Sequence, residues 1–96
     1  MKQFMFLHFG FEKPTPEIMK AWQAWFASIA EAQIGQGGFN GGKEITKDGT
    51  SDLAWNLDSI TGYNIIEAED MAAAEKLAQS NPFISSIRIL TPVFSV

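Results

Sequence analysis

The spacing of apolar residues changes along the chain, and each change marks an element. Lys2 to Phe9 (KQFMFLHF) is apolar on both faces, with Phe4, Phe6 and His8 on one and Met5, Leu7 and Phe9 on the other. A strand of that kind is covered on both sides. After a loop from Gly10 to Pro14, Thr15-Pro16-Glu17 supplies an N-cap hydroxyl, a proline at the first helical position and an acid in the first turn. Ile18, Trp22, Trp25 and Ile29 then recur at helical spacing as a core stripe, which Met19 and Phe26 widen. The pattern predicts a helix that runs to Ile34 and is capped by Gly35.

From Gln36 to Thr61 the periodicity loosens. Gly37-Gly38-Phe39-Asn40-Gly41-Gly42 is too glycine-rich for a strand interior but fits a strand edge or bulge. Glu44-Ile45-Thr46 followed by Asp48-Gly49 reads as a small hairpin with a type I′ turn. Asp52 to Ser59 has no clear period, yet it holds Trp55 and Leu57 and is expected to pack. Order returns from Thr61 to Asn81. Gly62 opens a short strand, Tyr63 to Ala68, rich in aromatic and β-branched residues. Glu69 and Asp70 lie where a helix N-terminus favours negative charge, and Met71, Ala74, Leu77 and Ala78 form one helical face. Asn81-Pro82 stops that helix. From Ser85 to Val93, Ile87, Ile89 and Thr91 alternate with Ser86, Arg88 and Leu90, as in a half-buried strand that Pro92 ends at an edge.

The order is therefore β-α-β-(hairpin)-β-α-β. It implies an α+β class, a ferredoxin-like β-α-β-β-α-β with an inserted hairpin, and an antiparallel sheet with both helices on one face. The other face is left bare, although the first strand is apolar on both sides. A second copy packed sheet to sheet would cover it. Composition sharpens that expectation: the 96 residues make one domain, 1–96, and 46% are apolar, including eight Phe and three Trp. A core of this size does not readily hide so much, and large exposed apolar patches usually mark an interface.

Charge and the rarer residues narrow the function classes. Net charge is −4, and Lys13, Lys20, Lys43, Lys47 and Arg88 are scattered, which argues against nucleic-acid binding by phosphate neutralisation. With no cysteine and one histidine, neither a disulfide framework nor a structural zinc site is expected, and no cofactor is implied. The apolar run Phe4 to Phe11 is interrupted by His8 and Gly10, lacks a small-residue cleavage pattern and is too short to span a bilayer. A cytoplasmic protein without a membrane partner is the expectation. No Gly-Lys-Ser/Thr follows the glycines, so no phosphate-binding loop is present.

His8 alone has an unperturbed pKa near neutrality. At the C-terminal end of the first strand it reads as a general base or acid facing an inter-sheet cavity, oriented by Asp48 or Asn64; the alternative is a histidine satisfied by backbone. Tyr63 and Asn64 point to opposite sides of their strand, so one of them faces the cavity. Asn64 is the odder strand residue, which favours a polar pocket role or a bond to a loop. Phe39 and Asn40 lie among glycines that permit close approach to a ligand, or simply form a turn. Asp48 is a site acid or a plain turn residue. Trp22 and Trp25 belong to the core stripe, and helix-start electrostatics account for Glu69 and Asp70 beside Glu67.

Taken in order, several stretches resemble the YCII-related (DGPF-domain) family of small bacterial proteins. They are the MKQFMFL start, Pro16 to Trp22 (Pro-Glu-x-Met-x-Ala-Trp), Thr46-Lys47-Asp48-Gly49, Gly62 to Asp70, and the closing strand with Pro92. The resemblance implies a dimeric α+β barrel. The family's namesake motif reads Asp48-Gly49-Thr50-Ser51 here. Some relatives carry a histidine near the start of the first helix, paired with an aspartate; Pro16-Glu17-Ile18-Met19 has none, so that dyad is not carried over. The expectation is a homodimer that binds a small organic molecule, with His8 available for isomerase- or lyase-type proton transfer. The alternatives are a non-catalytic regulatory module, such as a partner of extracytoplasmic-function sigma factors, or an interaction protein whose only pocket is its dimer seam.

Overall fold

Thr15 caps the first helix as the sequence requires: its Oγ1 accepts a hydrogen bond from the Ile18 N–H at 3.2 Å, with Pro16 in the first turn. Asp70 does the same for the second helix, accepting from the Ala73 N–H at 2.9 Å. The structure, a computed structural model, describes residues 1–82 and 84–93. Its elements are β1 (Lys2–Phe9), α1 (Pro16–Ile29), β2 (Gln33–Gly38), β3 (Lys43–Thr46), β4 (Gly49–Asp52), β5 (Ile60–Ala68), α2 (Met71–Gln79) and β6 (Ser86–Leu90).

Four strands form one antiparallel sheet in the order β2-β5-β1-β6, and β3-β4 forms a separate hairpin. With the hairpin set aside, this is the ferredoxin-like arrangement. The two longest strands, β1 and β5, lie side by side at the centre, with Phe4 opposite Ile66 and Phe6 opposite Asn64. Phe4, Phe6, Ile66 and Ala68 from the sheet pack with Trp25 and Ile29 from α1 and Ala74 and Ala78 from α2. Both helices therefore cover one face. The Trp25 indole N–H ties them together by donating to the Leu77 carbonyl at 2.8 Å.

The opposite face carries Met5, Leu7, Phe9, Tyr63, Ile65 and Leu90, none of which is fully buried. Arg88 lies over the Phe9 ring there, 4.4 Å from its centroid. The smallest extent of the molecule, 18 Å, is that of one sheet and one helix layer. Its radius of gyration is 14.6 Å, against about 12–13 Å for a compact chain of this length. The extra spread comes from a two-layer slab with a projecting hairpin, in which every residue of β3 and β4 is exposed.

Two local expectations are corrected. The first helix stops at Ile29, not Ile34, and Gln33 already belongs to β2. Ala30-Glu31-Ala32 has good helix propensity, but the Ala32 carbonyl accepts from the Glu67 N–H at 2.8 Å and draws the chain onto β5. Of the glycine-rich run only Gly37 and Gly38 are strand, as the end of the edge strand β2, whose irregularity falls earlier, between Gln33 and Gly35. In the hairpin, Thr46 pairs with Gly49 around Lys47-Asp48. A type I′ turn needs positive φ at both central residues. Here no non-glycine residue among those described has positive φ, and the left-handed conformation falls on Gly49 (φ 133°) after the turn.

Candidate functional site

Alternation along β1 puts His8 on the same face as Phe4 and Phe6, toward the helices. The expected orientation toward a space between two sheets is therefore replaced by one between sheet and α1. Asn64, on the adjacent strand, reaches His8 diagonally: the pairs are Phe6–Asn64 and His8–Gly62, so the two side chains lean toward each other across one register step.

His8 Nε2 lies 2.5 Å from Asn64 Oδ1, and Asn64 Nδ2 donates to Gln33 Oε1 at 2.6 Å. This chain fixes the imidazole. The Asn64 amide N–H₂ is committed to Gln33, so Asn64 presents an acceptor to His8 and the Nε2 position must carry the proton. Nδ1 is left as a lone pair. It is buried and has no hydrogen-bond partner among the described residues, while His8 as a whole is 6% exposed. A polar atom so placed costs about 1–3 kcal/mol unless something donates to it. Burial lowers the His8 pKa below its usual value and the Asn64 hydrogen bond raises it less, so the ring is neutral near pH 7.

Two indoles stand edge-on to this ring: Trp22, with centroids 5.2 Å apart, and Trp25, at 5.5 Å. Trp25 is buried in the core, and Trp22, nearer the helix N-terminus, is half-buried and packs against it. A cleft of about 630 Å³ opens beside Trp22. Ile18, Met19, Trp22 and Phe26 form its helix wall, Gly38 and Gly62 its floor, and His8 and Asn64 its inner end. Gly38 and Gly62 are paired across β2 and β5, so the sheet offers backbone without side chains at the cleft floor. Glu12, Gln23, Gln36 and Thr61 add polar groups to its lining.

The remaining predicted positions separate from this centre. Tyr63 borders the cleft but its ring lies over Gly37 and stacks on Phe39, with centroids 5.8 Å apart. Gly37 is required there, because a Cβ would overlap the Tyr63 ring. Phe39 instead lines a second hollow of about 450 Å³ with Leu53, Trp55 and Ile60. Asn40 lines neither hollow, and Asp48 sits in the exposed hairpin turn with its N–H donating to Thr46 Oγ1. Of the two partners weighed for His8, Asn64 is the one in contact. Gln33 and the wall role of Trp22 had escaped sequence reading; Gln33 was hidden inside a helix drawn too long. Among the described residues no group of three or more His, Asp or Glu side chains gathers as a metal site would require, and no helix is long and apolar enough to cross a membrane.

No family model and no curated protein sequence matches the chain. Among solved structures it is similar to 5-chloro-2-hydroxyhydroquinone dehydrochlorinase from Burkholderia phenoliruptrix AC1100, in complex with 2,5-dihydroxybenzoquinone. The two superpose with a TM-score of 0.61 at 14% identity, over 97% of this chain and 95% of the other. The likeness is one of fold: a small α+β barrel-type chain with an antiparallel sheet and two helices.

Proposed function

We propose that this chain is a homodimeric, YCII-like single-domain protein that binds a small organic molecule in the cleft beneath α1 and moves a proton with His8. The observation that carries the reading is His8 Nδ1, buried and without a hydrogen-bond partner among the described residues at the inner end of an open apolar cleft. A ligand hydroxyl supplies the missing donor. Transfer of its proton to Nδ1 makes an imidazolium whose Nε2–H stays on Asn64 Oδ1 and whose charge is paired with the ligand oxyanion just formed. Return of the proton to a ring carbon then breaks one O–H bond, forms one C–H bond and turns an enol into its ketone, an isomerase step without redox change. In the corresponding lyase step a second hydroxyl of the ketone gives up its proton, that O–H electron pair moves into the ring as a new π bond, and the leaving group departs from the protonated carbon with its bonding pair. The similarly folded structure acts on, and holds, hydroxylated rings, which supports that chemical class for the cleft.

Dimerisation is the companion element. The bare sheet face presents Met5, Leu7, Ile65 and Leu90 to water, and a second copy hides it while leaving the helix-side cleft open.

Proton transfer is tested by deuterium exchange into the ring of hydroxyhydroquinone, kept anaerobic in D₂O and followed by ¹H NMR. The native chain is expected to accelerate exchange over buffer, and His8→Asn to lose that acceleration. Equal exchange with both proteins would remove His8 from the chemistry.

A further inference from the structure

We infer that Trp22 is a movable wall between the cleft and His8 Nδ1, and that the occupant which displaces it is an uncharged planar molecule bearing a hydroxyl group. The inference rests on the cleft being a ligand site and adds the door and the ligand's charge class.

The two indoles against His8 are not equivalent. Trp25 is 2% exposed and its N–H is held by the Leu77 carbonyl at 2.8 Å. Trp22 is half-buried, lines the cleft, and has no side-chain hydrogen bond among the described residues. Nδ1 is buried and has no partner among the described residues. The side that can yield is therefore the one that faces the cleft, and rotation of Trp22 about its own side chain costs no hydrogen bond.

The charge class follows from what lines the cleft. Glu12 is its one formally charged residue, and no lysine or arginine joins it. An anion would meet Glu12 and find no cation to receive it. A cation would find Glu12 at the exposed rim, but would have to shed water to follow the path inward to a neutral imidazole. An uncharged hydroxyl pays neither penalty and fits an acceptor-only Nδ1. Planarity suits a cleft that presents the rings of Trp22 and Phe26 on its helix wall and side-chain-free backbone, at Gly38 and Gly62, on its floor.

The test uses the full chain labelled with ¹⁵N and four probes of one shape: phenol, toluene, benzoate and benzylamine. The readouts are the His8 ring nitrogens and the Trp22 indole N–H, assigned with Trp22→Phe. Phenol is expected to shift both the indole and Nδ1, and to bind about tenfold tighter than toluene, the worth of one hydrogen bond. Toluene should move the indole and leave Nδ1 in place, and both charged probes should bind more weakly than toluene. In Trp22→Ala, with the wall removed, Nδ1 should become hydrated and its resonance should move without any probe; Trp22→Phe serves the same comparison if the alanine variant does not fold. Binding of benzoate or benzylamine as tightly as phenol, or phenol binding that leaves Nδ1 or Trp22 unmoved, would overturn this inference while the cleft stands as a site. If none of the four probes perturbs a cleft residue, the site reading itself fails and the inference with it.

Discussion

His8 Nε2 and Asn64 Oδ1 lie 2.5 Å apart although 56 residues separate them along the chain. The contact decides which ring nitrogen carries the proton, and Gln33 behind Asn64 decides which way the amide points. Each side chain in the series restricts the next.

Removing the middle member should therefore cost stability and tautomer definition together. Asn64→Ala strips partners from His8 Nε2 and Gln33 Oε1 in a largely buried setting, and should lower the unfolding free energy by about 1–3 kcal/mol in urea titrations. The ¹⁵N spectrum of His8 should then show a mixture of tautomers where the native chain shows Nε2–H alone. A native-like tautomer in Asn64→Ala would show that something other than Asn64 fixes the ring.

Stability should respond to acid through the same residue. Burial holds the folded His8 pKa below the ordinary imidazole value of 6.5. The unfolded chain therefore takes up the proton first, and stability falls as pH drops below about 6.5 until the folded pKa is reached. Denaturant midpoints measured from pH 7.5 downward should show this decline, and His8→Asn should flatten it. A native chain whose stability does not change across that window would contradict a depressed His8 pKa.

The edge strand offers a packing test. Gly37→Ala drives a methyl group into the Tyr63 ring and should destabilise the fold by about 1–3 kcal/mol. Tyr63→Ala on top of Gly37→Ala should recover part of that loss, since the ring is then absent. Additive effects of the two substitutions in denaturant melts would mean that the ring and the glycine are not coupled.

The bare face predicts assembly. The native chain should sediment at twice its 10.6 kDa mass at micromolar concentration. Leu7→Glu, which places a charge at the centre of that face, should sediment as a monomer with unchanged far-UV circular dichroism. Observation of a 10.6 kDa particle for the native protein at these concentrations would sink the sheet-to-sheet reading.

Much of the fold was legible in the order of residues. Thr15-Pro16 and Asp70 declared their helix starts, because capping is a local affair of one side chain and a backbone N–H three residues on. The alternation Phe4, Phe6, His8 against Met5, Leu7, Phe9 gave the two faces of β1, because side-chain direction in a strand has period two. Where the pattern misled, the deciding partner was distant. Ala30 to Gln33 looked helical until β5 competed for its backbone, and Asp48 looked like a site acid until the hairpin carried it away from His8.

The sequence by itself thus determined the element order, the helix caps, the two-faced first strand and the singular position of His8. These depend on neighbours within a turn or a strand repeat. Only the tertiary structure decided that His8 looks toward α1, that Asn64 and Gln33 hold its ring, and that Trp22 sits at the edge of the core and walls a cleft. Those relationships depend on the register of β1 against β5, on the pairing of Gly38 with Gly62 and on the packing of α1 over that face, and none of these is written in any local stretch of the chain.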